Sequence, residues 1–258
     1  VNGFLWTDKQ VNNNEVVILK NELGLETCIA KLAVSRGINS KNFKNFMDTK
    51  IKTTLPDPFV LDDMEKATKK IVDCILKKQK IGVLGDYDVD GSSATSLICN
   101  YFFEIGVEYE FYIPDRIKEG YGPNIDAFES LRDKGCVLIL TLDCGTTSFE
   151  PIEHISTKRV DVIIVDHHQQ SQLLPNAFYI IKKKKNKDIS NLDNLWANGV
   201  TFFLVISLSR ELKKNNFFKL KLPNLIKYLD LVALATICDL VKLDQVNRAF
   251  VKQGIKVM

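Results

Sequence analysis

The chain has 258 residues, 45% of them hydrophobic, enough to bury a full core in one large or two small domains. Its formal charge of +3 is too small to imply a nucleic-acid partner, although it is compatible with one. No apolar run approaches the roughly 18 residues of a membrane span, no signal peptide is visible, and the six cysteines contain no CxxC pair, so they read as reduced, mostly buried thiols of a cytoplasmic protein.

The first segment reads as helical and separate. Glu26 to Arg36 places Ile29, Leu32 and Ala33 at helical spacing, and Gly37 follows as a C-cap would. Pro56 and Pro58 then break the chain, which suggests a helical leader over 1–60 and a larger domain over 61–258. Asp62 to Lys80 predicts a helix with Met64, Ala67, Ile71 and Ile75 on one face and lysines opposite.

From there strands and helices alternate. Ile81 to Gly85 is a strand running into Asp86-Tyr87-Asp88-Val89-Asp90-Gly91, and the helix after it shows Ala94, Leu97, Ile98, Tyr101, Phe102 and Ile105 at i, i+3, i+4 spacing. Next come a strand near Val107 to Ile113, a helix from Pro123 to Lys134, and a strand from Val137 that ends at Asp143-Cys144-Gly145. A helix from Phe149 to near Thr157, a strand from Val160 that stops at Asp166-His167-His168, and a strand around Phe178 to Ile181 complete the series. This βαβα order predicts an α/β fold, a mainly parallel sheet with helices on both faces, preceded by the helical N-terminal segment. Gly199 to Leu212 and Leu225 to Ile237 read as two apolar helices, and Asn247 to Met258 as the opening of another with no terminator. Because the chain also starts at Val1, it reads as a piece of something longer.

In an open parallel sheet, the carboxyl ends of the strands lie on one rim, where ligands bind. Asp86, Asp88, Asp90, Asp143, Asp166, His167 and His168 therefore converge, and so many like charges imply a divalent metal site. The plain alternative for Asp88 and Asp90 is capping of the following helix. One cap would explain one aspartate, but not three at alternate positions. Strand alternation turns Asp166 and His168 to one side and His167 to the other, so at most one histidine is expected to bind an ion directly. His154, alone on a helix, reads as a surface residue, and the run Lys182 to Lys185 with Lys187 as a solvated loop more often than a DNA contact.

The segments Gly85-Asp86-Tyr87-Asp88-Val89-Asp90-Gly91, Asp143-Cys144-Gly145 and Asp166-His167-His168 resemble the motifs of the DHH phosphoesterase superfamily, and within it those of the RecJ single-stranded-DNA exonucleases. The resemblance extends over nearly the whole chain. It includes Leu55-Pro56-Asp57-Pro58-Phe59, Met64-Glu65-Lys66-Ala67, Pro114 to Gly122, Gly199-Val200-Thr201-Phe202 and Ala235 to Val241. Related pyrophosphatases begin the first motif with a histidine and an Asn-Pro pair, and this chain has neither.

The resemblance implies two ions, Mn²⁺ or Mg²⁺, held by Asp88, Asp90, Asp143 as the bridge, His167 and Asp239, with Asp86 supporting them or contributing to one. It implies that His168, beside Asp166, faces the scissile phosphate, and that Arg116 and Tyr121 contact nucleic acid. The activity implied is 5′-to-3′ hydrolysis of single-stranded DNA to 5′-mononucleotides in repair and recombination. The expected state is a monomer, working with single-stranded DNA and a single-stranded-DNA-binding protein. The alternatives are a phosphodiesterase for short oligonucleotides or cyclic dinucleotides, and an inactive remnant, since these exonucleases carry a DHH-associated domain and an oligonucleotide-binding fold beyond the point where this chain stops.

Overall fold

The computed structural model describes residues 3, 5, 7–168, 173–182, 192, 194–217 and 223–258, which leaves Lys183 to Lys185 and Lys187 of the basic run outside the described residues. The chain forms two compact units, Val1–Lys50 and Ile51–Met258. In the first, three helices, α1 (Asn13–Leu23), α2 (Thr27–Ser35) and α3 (Ser40–Met47), surround a small core of Val16, Leu19, Ala30, Ala33, Val34 and Ile38. The sequence pattern predicts α2 alone; α1 and α3 start at asparagine caps. Asn12 accepts from the Asn14 and Glu15 amides, and Asn39 forms a capping box with Asn42.

The second unit starts with α4 (Ile51–Thr54) and a short 3-10 helix at Pro58–Val60, followed by α5 (Met64–Leu76), which buries Met64, Ala67, Ile71 and Ile75 as expected. The α/β series follows: β1 (Ile81–Gly85), α6 (Val89–Ile105), β2 (Tyr109–Tyr112), α7 (Ile125–Asp133), β3 (Leu138–Leu142), α8 (Phe149–Thr157), β4 (Asp161–Val165) and β5 (Tyr179–Ile181). The five strands form one parallel sheet in the order β2-β1-β3-β4-β5. Alternation along the strands feeds two cores. Val83, Leu140 and Ile163 face a large cluster with α5, α6 and α9 (Ala197–Lys214), while Leu84, Ile139 and Ile164 face a smaller one with α7 and α8. Among the described residues, no helix is long and apolar enough to cross a membrane.

Two expectations change at the carboxyl end. The stretch from Leu225 enters through a 3-10 turn to Tyr228 before α10 (Leu229–Cys238). The last helix, α11 (Gln245–Gly254), is not left open: Asp244 caps it at the Asn247 amide, and it ends at Gly254, where a Cβ would lie 2.2 Å from the Leu229 carbonyl oxygen of α10. Four cysteines are buried, but Cys28 and Cys238 are exposed.

The end of β1 is as tightly filled as that helix crossing. A Cβ on Gly85 would sit 1.8 Å from Thr95 Oγ1 and 3.1 Å from Thr95 Cβ. Gly85→Ala should therefore destabilise the protein by about 1–3 kcal/mol through overpacking. Adding Thr95→Ala should recover part of that loss in thermal or denaturant melts. Equal stability of parent and Gly85→Ala would show that α6 is free to move away from β1.

Candidate metal centre

Parallel pairing sets Gly85 opposite Leu142 and Leu142 opposite Val165, so the residues that follow, Asp86, Asp143 and Asp166, stand in one row. The ladder continues past the strands: the Asp86 N–H donates to Leu142 O at 3.1 Å and the Asp143 N–H to Val165 O at 2.9 Å. Because β2 lies on one side of β1 and β3 on the other, the winding of the sheet reverses between β1 and β3, and a crevice opens at their carboxyl ends. Asp86 and Asp143 are each 1% exposed and Asp166 is 2% exposed. Asp143 has a φ of 62°, in the left-handed region that an aspartate adopts more readily than most residues.

Two donor groups meet in this crevice, Asp86 with Asp88 and Asp143, and Asp143 with His167 and His168. Within each, one ligand atom per residue lies within 4.8 Å of the others. Asp143 is shared, its Oδ1 being 3.1 Å from His167 Nε2 and 3.8 Å from His168 Nδ1. Burial, and then the charges of Asp90, Asp88 and Asp166, push the Asp143 carboxyl far above the usual carboxylate range. Burial also raises Asp86, with the Asp88 charge adding to it against the Tyr87 and Asp88 amides. Asp86 Oδ1 and Asp143 Oδ1 are buried and accept no hydrogen bond among the described residues. Carboxylate oxygens that are buried without donors, beside imidazole nitrogen, are the donor set of a hard divalent cation, and the residues fit one.

The remaining expected residues divide clearly. Asp166 is fully used within the protein: Oδ2 accepts from the Thr146 amide and hydroxyl at 3.2 and 2.6 Å, and Oδ1 from the His168 amide at 3.1 Å, with His168 Nδ1 at 2.7 Å. Burial opposes ionisation of Asp166, yet the hydrogen bonds from His168 and Thr146 prevail and hold it down at about 2. Asp88 caps α6 through the Gly91 amide at 2.9 Å while standing in the first donor group, so its capping and ligand readings are compatible. Asp90 is turned to another task, since both of its oxygens accept backbone amides at the start of α9. It joins neither donor group, and nor does Asp239, a half-buried residue at the C-cap of α10 whose carboxyl is raised by burial and by the Asp88 charge. Both histidine rings come near Asp143, His167 the closer of the two.

Arg116 and Tyr121 belong to a loop ordered by Glu119, which accepts from the Tyr112 hydroxyl, the Asp115 amide and the Asn124 side chain at 2.8, 2.7 and 3.0 Å. The Tyr121 hydroxyl donates to Asp143 O at 3.2 Å and its ring stands edge-on to Tyr87, over which the Arg116 guanidinium lies at 5.1 Å. Both residues therefore flank the crevice. His154 is not a bare surface residue, for its Nε2 lies 2.6 Å from Glu129. Sequence reasoning missed Thr146, Tyr87 and Trp196, whose ring packs on His167 at 4.1 Å between centroids. No spacing rule marks Trp196, although it lies three residues before the helix expected at Gly199.

Comparison with known proteins gives a consistent picture. Residues 80–236 match the model of the DHH family, N-terminal domain. The chain is 33% identical over 252 residues to the single-stranded-DNA-specific exonuclease RecJ of Bacillus subtilis (strain 168), covering 97% of this chain and 30% of that protein. It is 32% identical to the Haemophilus influenzae protein of the same description over 81% of this chain and 36% of that one. The chain thus spans about a third of the length of these curated relatives. A crystal structure of exonuclease RecJ bound to manganese superposes with a TM-score of 0.67 at 28% identity, over 79% of this chain and 49% of that one.

In the metal-free protein, the hydrogen bond to Asp166 raises His168 above its ordinary 6.5 in spite of burial. The stabilisation this pair provides is complete below that ordinary value and is lost as pH rises through the raised folded value. An NMR titration should place the His168 midpoint above 6.5, and Asp166→Asn should lower it. An unchanged midpoint in that variant would show that Asp166 does not govern the ring.

Proposed function

The chain belongs to the DHH family, and from that premise we propose that it forms the catalytic part of a metal-dependent exonuclease that degrades single-stranded DNA in the 5′-to-3′ direction. The observation that carries this reading is the sharing of buried Asp143 between two donor groups, an arrangement suited to two ions bridged by one carboxylate. Asp86 and Asp88 would hold one ion with Asp143, and His167 would hold the other with Asp143. Asp239 stands near enough to feel the Asp88 charge and would complete the set. The manganese in the RecJ structure supports Mn²⁺, with Mg²⁺ as the alternative, for the same donors here. When bound, two such ions supply a water ionised at neutral pH and neutralise the charge that develops on a phosphodiester's oxygens.

The protein's own groups do the positioning. Asp166 fixes the ring of His168 through Nδ1, which leaves Nε2 as the atom to meet a phosphate oxygen. Tyr121, held to the Asp143 backbone, and Arg116, exposed on the same loop, line the approach and would orient the strand through stacking and a phosphate contact.

Two measurements test the reading. In metal-free protein, the raised Asp143 pKa means that ionisation of this carboxyl is disfavoured by folding, so its cost to stability grows as pH rises from 3.8 toward the folded value. Asp143→Asn should consequently raise the melting temperature of metal-free protein at neutral pH, while abolishing the further rise that Mn²⁺ gives the parent by mass action. A parent melting curve unmoved by Mn²⁺ would defeat the metal site. For activity, a 5′-labelled single-stranded oligonucleotide with Mn²⁺ should be shortened from its 5′ end when the protein includes the further length of its relatives. Its His167→Ala variant should be slower by roughly a hundredfold or more, the scale of losing one electrostatic stabiliser. Equal rates for parent and variant would remove His167 from the chemistry.

A further inference from the structure

We propose that Asp90 is a positioning residue that caps α9 across the fold and thereby seats Trp196 against His167, rather than a ligand of either ion. The proposal rests on the reading of His167 as a metal ligand. Asp90 is 0% exposed. Its Oδ2 accepts the Ala197 amide at 2.8 Å and its Oδ1 the Asn198 amide at 2.9 Å, across 107 and 108 residues of chain. Both oxygens are thus engaged by the first turn of α9.

That turn needs an acceptor from elsewhere. The first amides of a helix have no partner within it, and a side chain at the N-cap position usually supplies one. Here the N-cap is Trp196, whose indole has no acceptor, and it makes no side-chain cap bond. Asp90 does what Trp196 cannot, placing two acceptor oxygens at the amide end of α9. Its neighbour Asp88 caps α6 itself, so two acids of one motif cap two different helices.

The position of Trp196 gives this cap a consequence at the metal centre. Its ring lies 4.1 Å from that of His167 at 45°, and His168 lies 4.3 Å from His167 at 34°. His167 therefore packs against two rings, that of the next residue and that of Trp196, which directly precedes the amide that Asp90 holds. Asp90 Oδ2 itself remains 3.9 Å from His167 Nε2. Loss of the Asp90 cap would release Ala197 and with it the Trp196 wall, which leaves the imidazole free to leave the geometry an ion requires. Groups that orient a metal-binding histidine typically affect affinity by about 10–100-fold.

The test uses the Trp6→Phe protein, in which Trp196 is the single tryptophan. Hydrogen exchange, Mn²⁺ binding by electron paramagnetic resonance, and Trp196 emission are measured in this parent and in its Asp90→Ala, Asp90→Asn and Trp196→Phe variants, with Asp143→Asn as the ligand control. In the parent, Mn²⁺ should quench Trp196 and Mg²⁺ should not, as expected for a paramagnetic ion beside the stacked imidazole. Asp90→Ala should lose exchange protection at residues 197–198, weaken Mn²⁺ binding by roughly tenfold and keep the parent's number of bound ions. Asp90→Asn, which retains one acceptor and the side-chain shape, should fall between the two even if Asp90→Ala folds poorly. Trp196→Phe should weaken Mn²⁺ binding without altering exchange at 197–198. Asp143→Asn should lose a bound ion.

Loss of an ion by Asp90→Asn, as in Asp143→Asn, would make Asp90 a ligand and overturn the proposal. Undiminished protection of 197–198 in Asp90→Ala would overturn the cap, and parent-like Mn²⁺ affinity in Trp196→Phe would overturn the seat. A parent that binds no Mn²⁺ would instead defeat the metal reading of His167, and the proposal with it, a failure recognisable because it appears before any substitution at Asp90.

Discussion

Three adjacent parallel strands end in register, and each is followed by a buried aspartate. This row of like charges is the constraint on which the second unit is built. The ladder bonds from Asp86 to Leu142 and from Asp143 to Val165 fix the spacing of these aspartates along the rim through the backbone, so side-chain rotation can relieve their crowding only in part. Folding therefore holds several acids at a separation they would not choose in water, and each one needs a compensating partner.

The compensation is divided unequally. Asp166 receives two donors from Thr146 and two from His168, and it stays ionised. Asp90 receives two amides from α9, and Asp88 receives one from α6. Asp86 Oδ1 and Asp143 Oδ1 have none among the described residues. The acids that the protein satisfies by itself surround those that it does not, and the unsatisfied oxygens mark where a cation belongs. Orientation follows the same division, because the satisfied acids position neighbouring groups: Asp166 turns the His168 ring, and Asp90 anchors the helix that follows Trp196, beside His167.

Much of this arrangement is legible in the sequence. Each apolar β-branched run that stops at an acid gave a strand of the parallel sheet, and strand alternation placed Asp166 with His168. Resemblance alone singled out Asp239, which follows an apolar helix with nothing in its spacing to set it apart. What could not be read depends on contacts between distant segments. Asp88 and Asp90 look equivalent as two acids at the mouth of one helix. Only the docking of α9 separates them, and that depends on packing among α6, α9 and the sheet. Alternation pairs Asp166 with His168 but does not say how far the His167 ring swings once β4 ends at Val165, so its approach to Asp143 was hidden.

The span between Asp90 and the amides it accepts also bears on the order in which the molecule can be completed during synthesis. A chain emerging from the ribosome has α6 and all five strands made while α9 is still to come, since 107 residues separate Asp90 from Ala197. Until α9 arrives, Asp90 must stay hydrated or protonated, because a bare carboxylate cannot be buried without donors. The mouth of α6 therefore stays open to water until late, and its closure comes in the same step as the start of α9. Long-range contacts of this kind slow folding, and here the delay leaves a nascent chain with its acids gathered on one rim before the wall beside His167 exists.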